Sequence, residues 1–170
     1  MQESRKLIQK IKPLSAVFYI LHLFPGTALY DRAVAEGKLK EDIWLKKIEE
    51  VSWHELDPGM QKDDVLAFGK ALRNTFYKTL PRAARESMNQ EDGGESKFSA
   101  DFFSRLGLTF THGDLSRIEE IPEKEKLARE LLKKALDTAP DRRAFLGLGM
   151  LQQKKRNFTE AEKIILEGIS

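Results

Sequence analysis

A chain of 170 residues, 41% hydrophobic and 33% charged, is long enough for one or two domains with a buried core and has the charge density of a surface-rich helical protein. Its net charge of +2 is spread along the chain, and short basic clusters such as Lys154-Lys155-Arg156 are not interleaved with aromatics, which argues against nucleic acid as a partner. Without a cysteine, the chain itself can form no disulfide, thiolate nucleophile or cysteine-ligated metal cluster.

The start, Met1-Gln2-Glu3-Ser4-Arg5-Lys6, has no basic stretch running into an apolar signal core. The longest apolar run falls short of the ~20 residues of a membrane helix. A cytoplasmic protein with no membrane partner is the expectation. Residues 4–11 carry Leu7, Ile8 and Ile11 at helical spacing and end before Pro13. Residues 14–24 (LSAVFYILHLF) have the β-branched and aromatic content of a strand buried on both faces, as in a parallel sheet covered by helices. No other segment reads as a partner strand, so the chain is expected to be a piece of a longer protein cut through a sheet. Eleven residues is also within helix length, and the alternative is a buried helix.

Pro25-Gly26 predicts a turn and Thr27 an N-cap. Residues 28–36 then form a helix with Leu29, Ala33 and Val34 inward, and Gly37 is its left-handed cap. Trp44, Leu45, Ile48 and Val51 mark a short amphipathic segment, and Asp57-Pro58-Gly59 a turn. Residues 63–79 predict a long helix on the period of Val65, Leu66, Phe68, Leu72, Phe76 and Leu80. Pro81 ends it or opens a short sequel over 82–87. The polar stretch around Gly93-Gly94 predicts a linker over 88–98. Residues 1–87 and 99–170 are then separate domains.

The second domain repeats. Ala128 to Ala135 aligns with Ala161 to Gly168, thirty-three residues on. Leu106-Gly107 precedes the first and Leu148-Gly149 the second, with Pro140 closing the first. This pattern resembles the tetratricopeptide repeat, and the spacing has a mechanism. Gly149 lets two helices approach, Ala161 and Gly168 do the same against a neighbour, and Leu148 and Phe158 fill the seam. The first unit is longer, with 118–125 as the insertion. Its usual aromatic is Phe110, where the second unit has Gln152. The resemblance implies a groove lined by Asp101, Ser104, Leu108, Thr111, His112, Leu146, Met150 and Gln153, open to a peptide or protein. The Lys/Asn set that clamps a C-terminal carboxylate in chaperone-binding members is absent. An apolar stripe at Ile164, Ile165 and Ile169 implies self-association.

The string His22-Leu23-Phe24-Pro25-Gly26-Thr27-Ala28-Leu29-Tyr30-Asp31, followed by Ala33, Glu36-Gly37 and Trp44-Leu45, resembles the segment after the last barrel strand of radical S-adenosylmethionine enzymes. Within these, it is most similar to the iron–sulfur oxidoreductases that often carry cobalamin upstream. The resemblance covers roughly residues 1–87. It implies a mainly α chain, in which a remnant of an α/β barrel (one strand, several helices) precedes the helical repeat. It also implies a parent enzyme using a four-iron four-sulfur cluster and S-adenosylmethionine. The family's CxxxCxxC loop is missing here, so no cofactor is assigned to this chain and no catalytic residue is carried over. The repeat half would then act as an interaction module or pack on the parent's own barrel. The competing reading is a free-standing helical-repeat adaptor.

Other constellations are sparse. Pro25 and Gly26 stand where a strand's C-terminal end can meet a ligand, and His22 shares the strand face with Phe18 and Phe24. A turn glycine and a structural histidine are the plainer readings. His22, His54 and His112 have no metal-ligand spacing, and Asp63-Asp64 suits a helix N-terminus.

Overall fold

The structure, a computed structural model, describes residues 2–19, 23–45, 61–89 and 96–169. These hold seven α-helices and no strand. The chain packs as two compact units, one of Val17–Arg73 and one of Gln2–Ala16 with Asn74–Ser170.

In the first unit, α1 being reserved for Gln2–Ile11 of the second, the leading helix is α2 (Ala28–Ala35). The Thr27 hydroxyl accepts from the Tyr30 N–H at 3.3 Å and donates to the Phe24 carbonyl at 2.8 Å, the expected cap. Gly37, at φ 68°, ends α2: its N–H reaches the Val34 carbonyl and the Lys38 N–H that of Ala33, both at 2.9 Å. That pair of bonds needs a left-handed residue, which glycine adopts without a Cβ penalty. Tyr30 and Ala33 are buried with Leu23 and Leu39, and Val34 and Trp44 pack against them. Leu29, expected inward, is exposed. Tyr30, Ala33 and Val34 define the buried face, and a residue about 100° further round per step places Leu29 off its edge. Glu41–Leu45 forms a 3-10 turn. Ile48, Val51, His54 and the turn at Asp57-Pro58-Gly59 lie outside the described residues.

The strand expected over 14–24 is absent among the described residues, and so is the alternative interior helix: 12–19 and 23–24 have neither form. A strand needs a second extended segment to complete its ladder, and the described residues contain none. Exposure still alternates. Leu14, Ala16 and Phe18 are half-buried, while Ser15, Val17 (67% exposed) and Tyr19 (90%) face outward, the period of an extended chain.

In the second unit, Arg5 of α1 donates to the Thr75 hydroxyl (3.2 Å), and Lys12 pairs with Glu86 (2.6 Å). Both partners lie on α3 (Lys62–Met88), which runs through Pro81 rather than stopping there. An interior proline costs about 3 kcal/mol. Tertiary packing offsets it, because Thr75, Phe76, Leu80, Pro81, Ala83 and Ala84 are buried around it. Arg85, beyond the proline, bonds Glu130 (2.8 Å) and Glu123 (3.2 Å). Residues 90–95, the core of the expected linker, lie outside the described residues.

The rest is two helical hairpins: α4 (Ser96–Thr111) with α5 (Lys124–Thr138), and α6 (Arg142–Lys154) with α7 (Phe158–Glu167). α6 also lies against α4 and α5. Residues 112–123 join the first pair and 155–157 the second, so the extra length overlaps the expected insertion at 118–123, while Lys124 and Glu125 belong to α5. Part of it is anchored: Ile121 is buried, and the Lys124 ammonium donates to the carbonyls of Ser116 and Ile118, both at 2.7 Å. Asp141 caps α6, its carboxylate accepting from the N–H groups of Arg143 (2.9 Å) and Ala144 (3.0 Å). Asp141→Ala is expected to lower stability by about 1 kcal/mol in a urea melt, the usual loss for an N-cap.

Candidate functional site

The residues expected to pack the hairpins divide cleanly. A Cβ added to Gly107 would sit 2.8 Å from Leu132 Cγ and 3.3 Å from the Ala128 carbonyl oxygen. A Cβ added to Gly149 would sit 2.5 Å from Ile165 Cγ1 and 3.3 Å from the Ala161 oxygen. The two hairpins thus close in the same way: a glycine on the first helix faces an alanine and, four residues on, an aliphatic side chain on the second. Ala135 is buried, and Gly168 lies against Phe145. Leu106 and Leu148 are half-buried and Pro140 is exposed. Phe158 does not fill the seam: it is 64% exposed at the first turn of α7, and Phe110 and Leu151 are the fully buried large side chains on the first helices.

Gly147 has no counterpart in the expected pattern and is the contact that seats α6. Its added Cβ would lie 2.9 Å from both Leu132 methyl carbons and 3.1 Å from Leu108 Cδ2. Leu132 is therefore pressed between Gly107 and Gly147. The alternation Leu146-Gly147-Leu148-Gly149 carries the signal, since two glycines two apart place small surfaces on different sides of a helix.

The groove candidates do not gather on one open surface. Ser104 and Thr111 are buried, their hydroxyls donating to the carbonyls of Asp101 (3.0 Å) and Leu108 (3.1 Å). Side chains so enclosed cannot present to a peptide. Asp101 bonds Arg105 on its own helix (2.7 Å) and Arg143 on α6 (2.5 Å), and Arg105 first, then Arg143, holds its carboxyl below the usual carboxylate value. Lys154 donates to the Thr111 carbonyl at 2.7 Å. His112 sits at the end of α4, where desolvation and then the Lys154 charge hold its imidazole below the ordinary value. Met150 is half-buried and Gln153 exposed.

Pro25 and Gly26 are exposed in the turn before Thr27, and Gly26 is at φ 83° with nothing within 4 Å of an added Cβ. That positive φ is a conformation glycine adopts without a Cβ penalty. His22 lies outside the described residues. In the same unit, Val17 to Tyr19 and the opening turns of α3 enclose an apolar groove of about 270 Å³, with Leu66, Phe68, Gly69 and Leu72 on its wall and Arg73 at its margin. The sequence did not announce it, because its two sides are far apart in the chain.

A four-iron four-sulfur cluster needs three thiolates, which this chain does not supply, so its residues do not fit that group. Among the described residues, no three His, Asp or Glu side chains gather as a metal site, and no helix is long and apolar enough to cross a membrane. The two hairpins present helix faces held at close separation by glycine contacts. Comparison with families of known proteins, with curated proteins and with solved structures finds no match to this chain.

Proposed function

We propose that this chain is a non-catalytic scaffold whose 96–169 region is a tetratricopeptide-like module for interaction or intramolecular packing, carried C-terminal to the barrel of a radical S-adenosylmethionine oxidoreductase. The observation that supports the module is the matched glycine seam, Gly107 on Ala128 and Leu132, Gly149 on Ala161 and Ile165. Two hairpins closed by the same contact, with the first helix of one laid on both helices of the other, are how helical repeats extend. The enclosure of Ser104 and Thr111 at positions expected to line a groove favours packing against a protein surface over capture of a free peptide tail.

The barrel reading draws support from residues 14–19, apolar but for Ser15 and alternately half-buried and exposed. In a barrel, a neighbouring strand would cover Val17 and Tyr19. The test is the coding sequence upstream of Met1. A CxxxCxxC loop in frame there is the expected result. A stop codon followed by a native start would overturn the barrel reading and leave the free-standing adaptor.

A further inference from the structure

The apolar period of α3 is covered along only part of its length. Phe76 and Leu80 are buried, whereas Val65, Phe68 and Leu72, earlier on the same period, are half-buried and Leu66 is 44% exposed. These side chains form one wall of the groove of about 270 Å³, and the exposed Val17 and Tyr19 belong to the other. Gly69 opens the α3 wall. Its added Cβ would meet only the Arg73 guanidinium, with Nη1 at 3.6 Å. Glycine weakens a helix interior, and no close approach of another element accounts for this one, unlike Gly107 and Gly149.

The Arg73 guanidinium is thus folded back over the groove's own glycine. Among the described residues it has no acidic or hydrogen-bonding partner. On its helix, Asp64 lies nine residues before it, ~13 Å along the axis at the rise of an α-helix. Glu86, thirteen residues on, is already held by Lys12 and Arg82.

We infer that this groove is a binding site for a small carboxylic acid with an apolar body, the body lying against Phe68, Leu72 and Tyr19 and the carboxylate on Arg73. Apolar walls with one charged group at the margin are the usual build of a small-molecule site. The planar guanidinium offers paired N–H donors that match the two oxygens of a carboxylate. Volume sets the size of the body. It falls just below the roughly 300–1,000 Å³ of sites for drug-sized ligands. At the ~30 Å³ that a water molecule takes in the liquid, it holds roughly nine non-hydrogen atoms. A helix of a partner protein, ~10 Å wide with its side chains, is too broad for it. The inference goes beyond the scaffold reading and does not rest on it.

The test titrates the full chain with 3-phenylpropionate, whose ring and two methylenes make a body of the right size, by isothermal calorimetry. One site with a dissociation constant of about 0.1–1 mM is expected, within reach of a ligand of so few atoms. The uncharged 3-phenylpropanamide should bind at least tenfold more weakly. Arg73→Gln should remove that difference, bringing the acid down to the amide and leaving the amide unchanged. Gly69→Leu should weaken the acid tenfold or more by filling the groove, at a melting temperature no lower than the parent's. No saturation at millimolar acid, as when the protein's own chain fills the groove, would overturn the inference. So would equal affinity for acid and amide, or a preference for the acid that survives Arg73→Gln. Indifference to Gly69→Leu would place the ligand elsewhere and overturn it as well.

Discussion

Leu132→Ala is expected to lower the unfolding free energy by about 2–5 kcal/mol, the range for removing a fully enclosed leucine. The reason for a value toward the upper end is position. Leu132 is fully buried, and both of the glycines that hold the hairpins together rest on it, Gly107 from α4 and Gly147 from α6. A cavity there could collapse only if two helices shifted at once, and interiors packed at crystal-like density relax only in part. Urea denaturation followed by circular dichroism reads the change directly. A loss below about 1 kcal/mol would mean that α6 is not seated as described.

Gly107→Val is expected to lower stability by about 2–3 kcal/mol through overpacking. Its first added carbon would already stand 2.8 Å from Leu132 Cγ and 3.3 Å from the backbone oxygen of Ala128. Leu132 cannot swing aside, because Gly147 holds its far side. Gly69→Ala is the internal control. That glycine is also within a helix, but only the flexible end of Arg73 comes near an added Cβ, at 3.6 Å. Alanine there should raise stability by about 0.5–1 kcal/mol through helix propensity alone. Opposite signs at two helical glycines would separate close approach from backbone freedom, and equal signs would refute the seam.

The parts of the fold legible in the sequence are those governed by short-range chemistry. Thr27 and Gly37 mark the ends of α2 because a cap is decided by one side chain and one φ angle. The Leu-Gly pairs and their distant alanines marked the hairpin contacts because only small residues permit such closeness. What escaped was decided by tertiary surroundings. Pro81 stays inside α3 because the buried face around Phe76 and Leu80 holds the helix on both sides of it. Phe158 points outward although its size suggested the interior. The repeat resemblance puts Ser104 and Thr111 at an open groove, yet each bonds a carbonyl three residues back on its own helix and so tolerates enclosure. The apolar segment at 14–24 promised a strand, but a ladder is a property of two segments, and sequence shows only one of them.

The unequal connections between the helices set an order of assembly. Three residues, 155–157, separate α6 from α7, against the twelve of 112–123 between α4 and α5. Closing the shorter gap sacrifices less chain freedom, by about 1 kcal/mol for two doublings of length. The C-terminal pair can therefore meet first and offer Gly147 as a ready-made seat, onto which α4 and α5 close around Leu132.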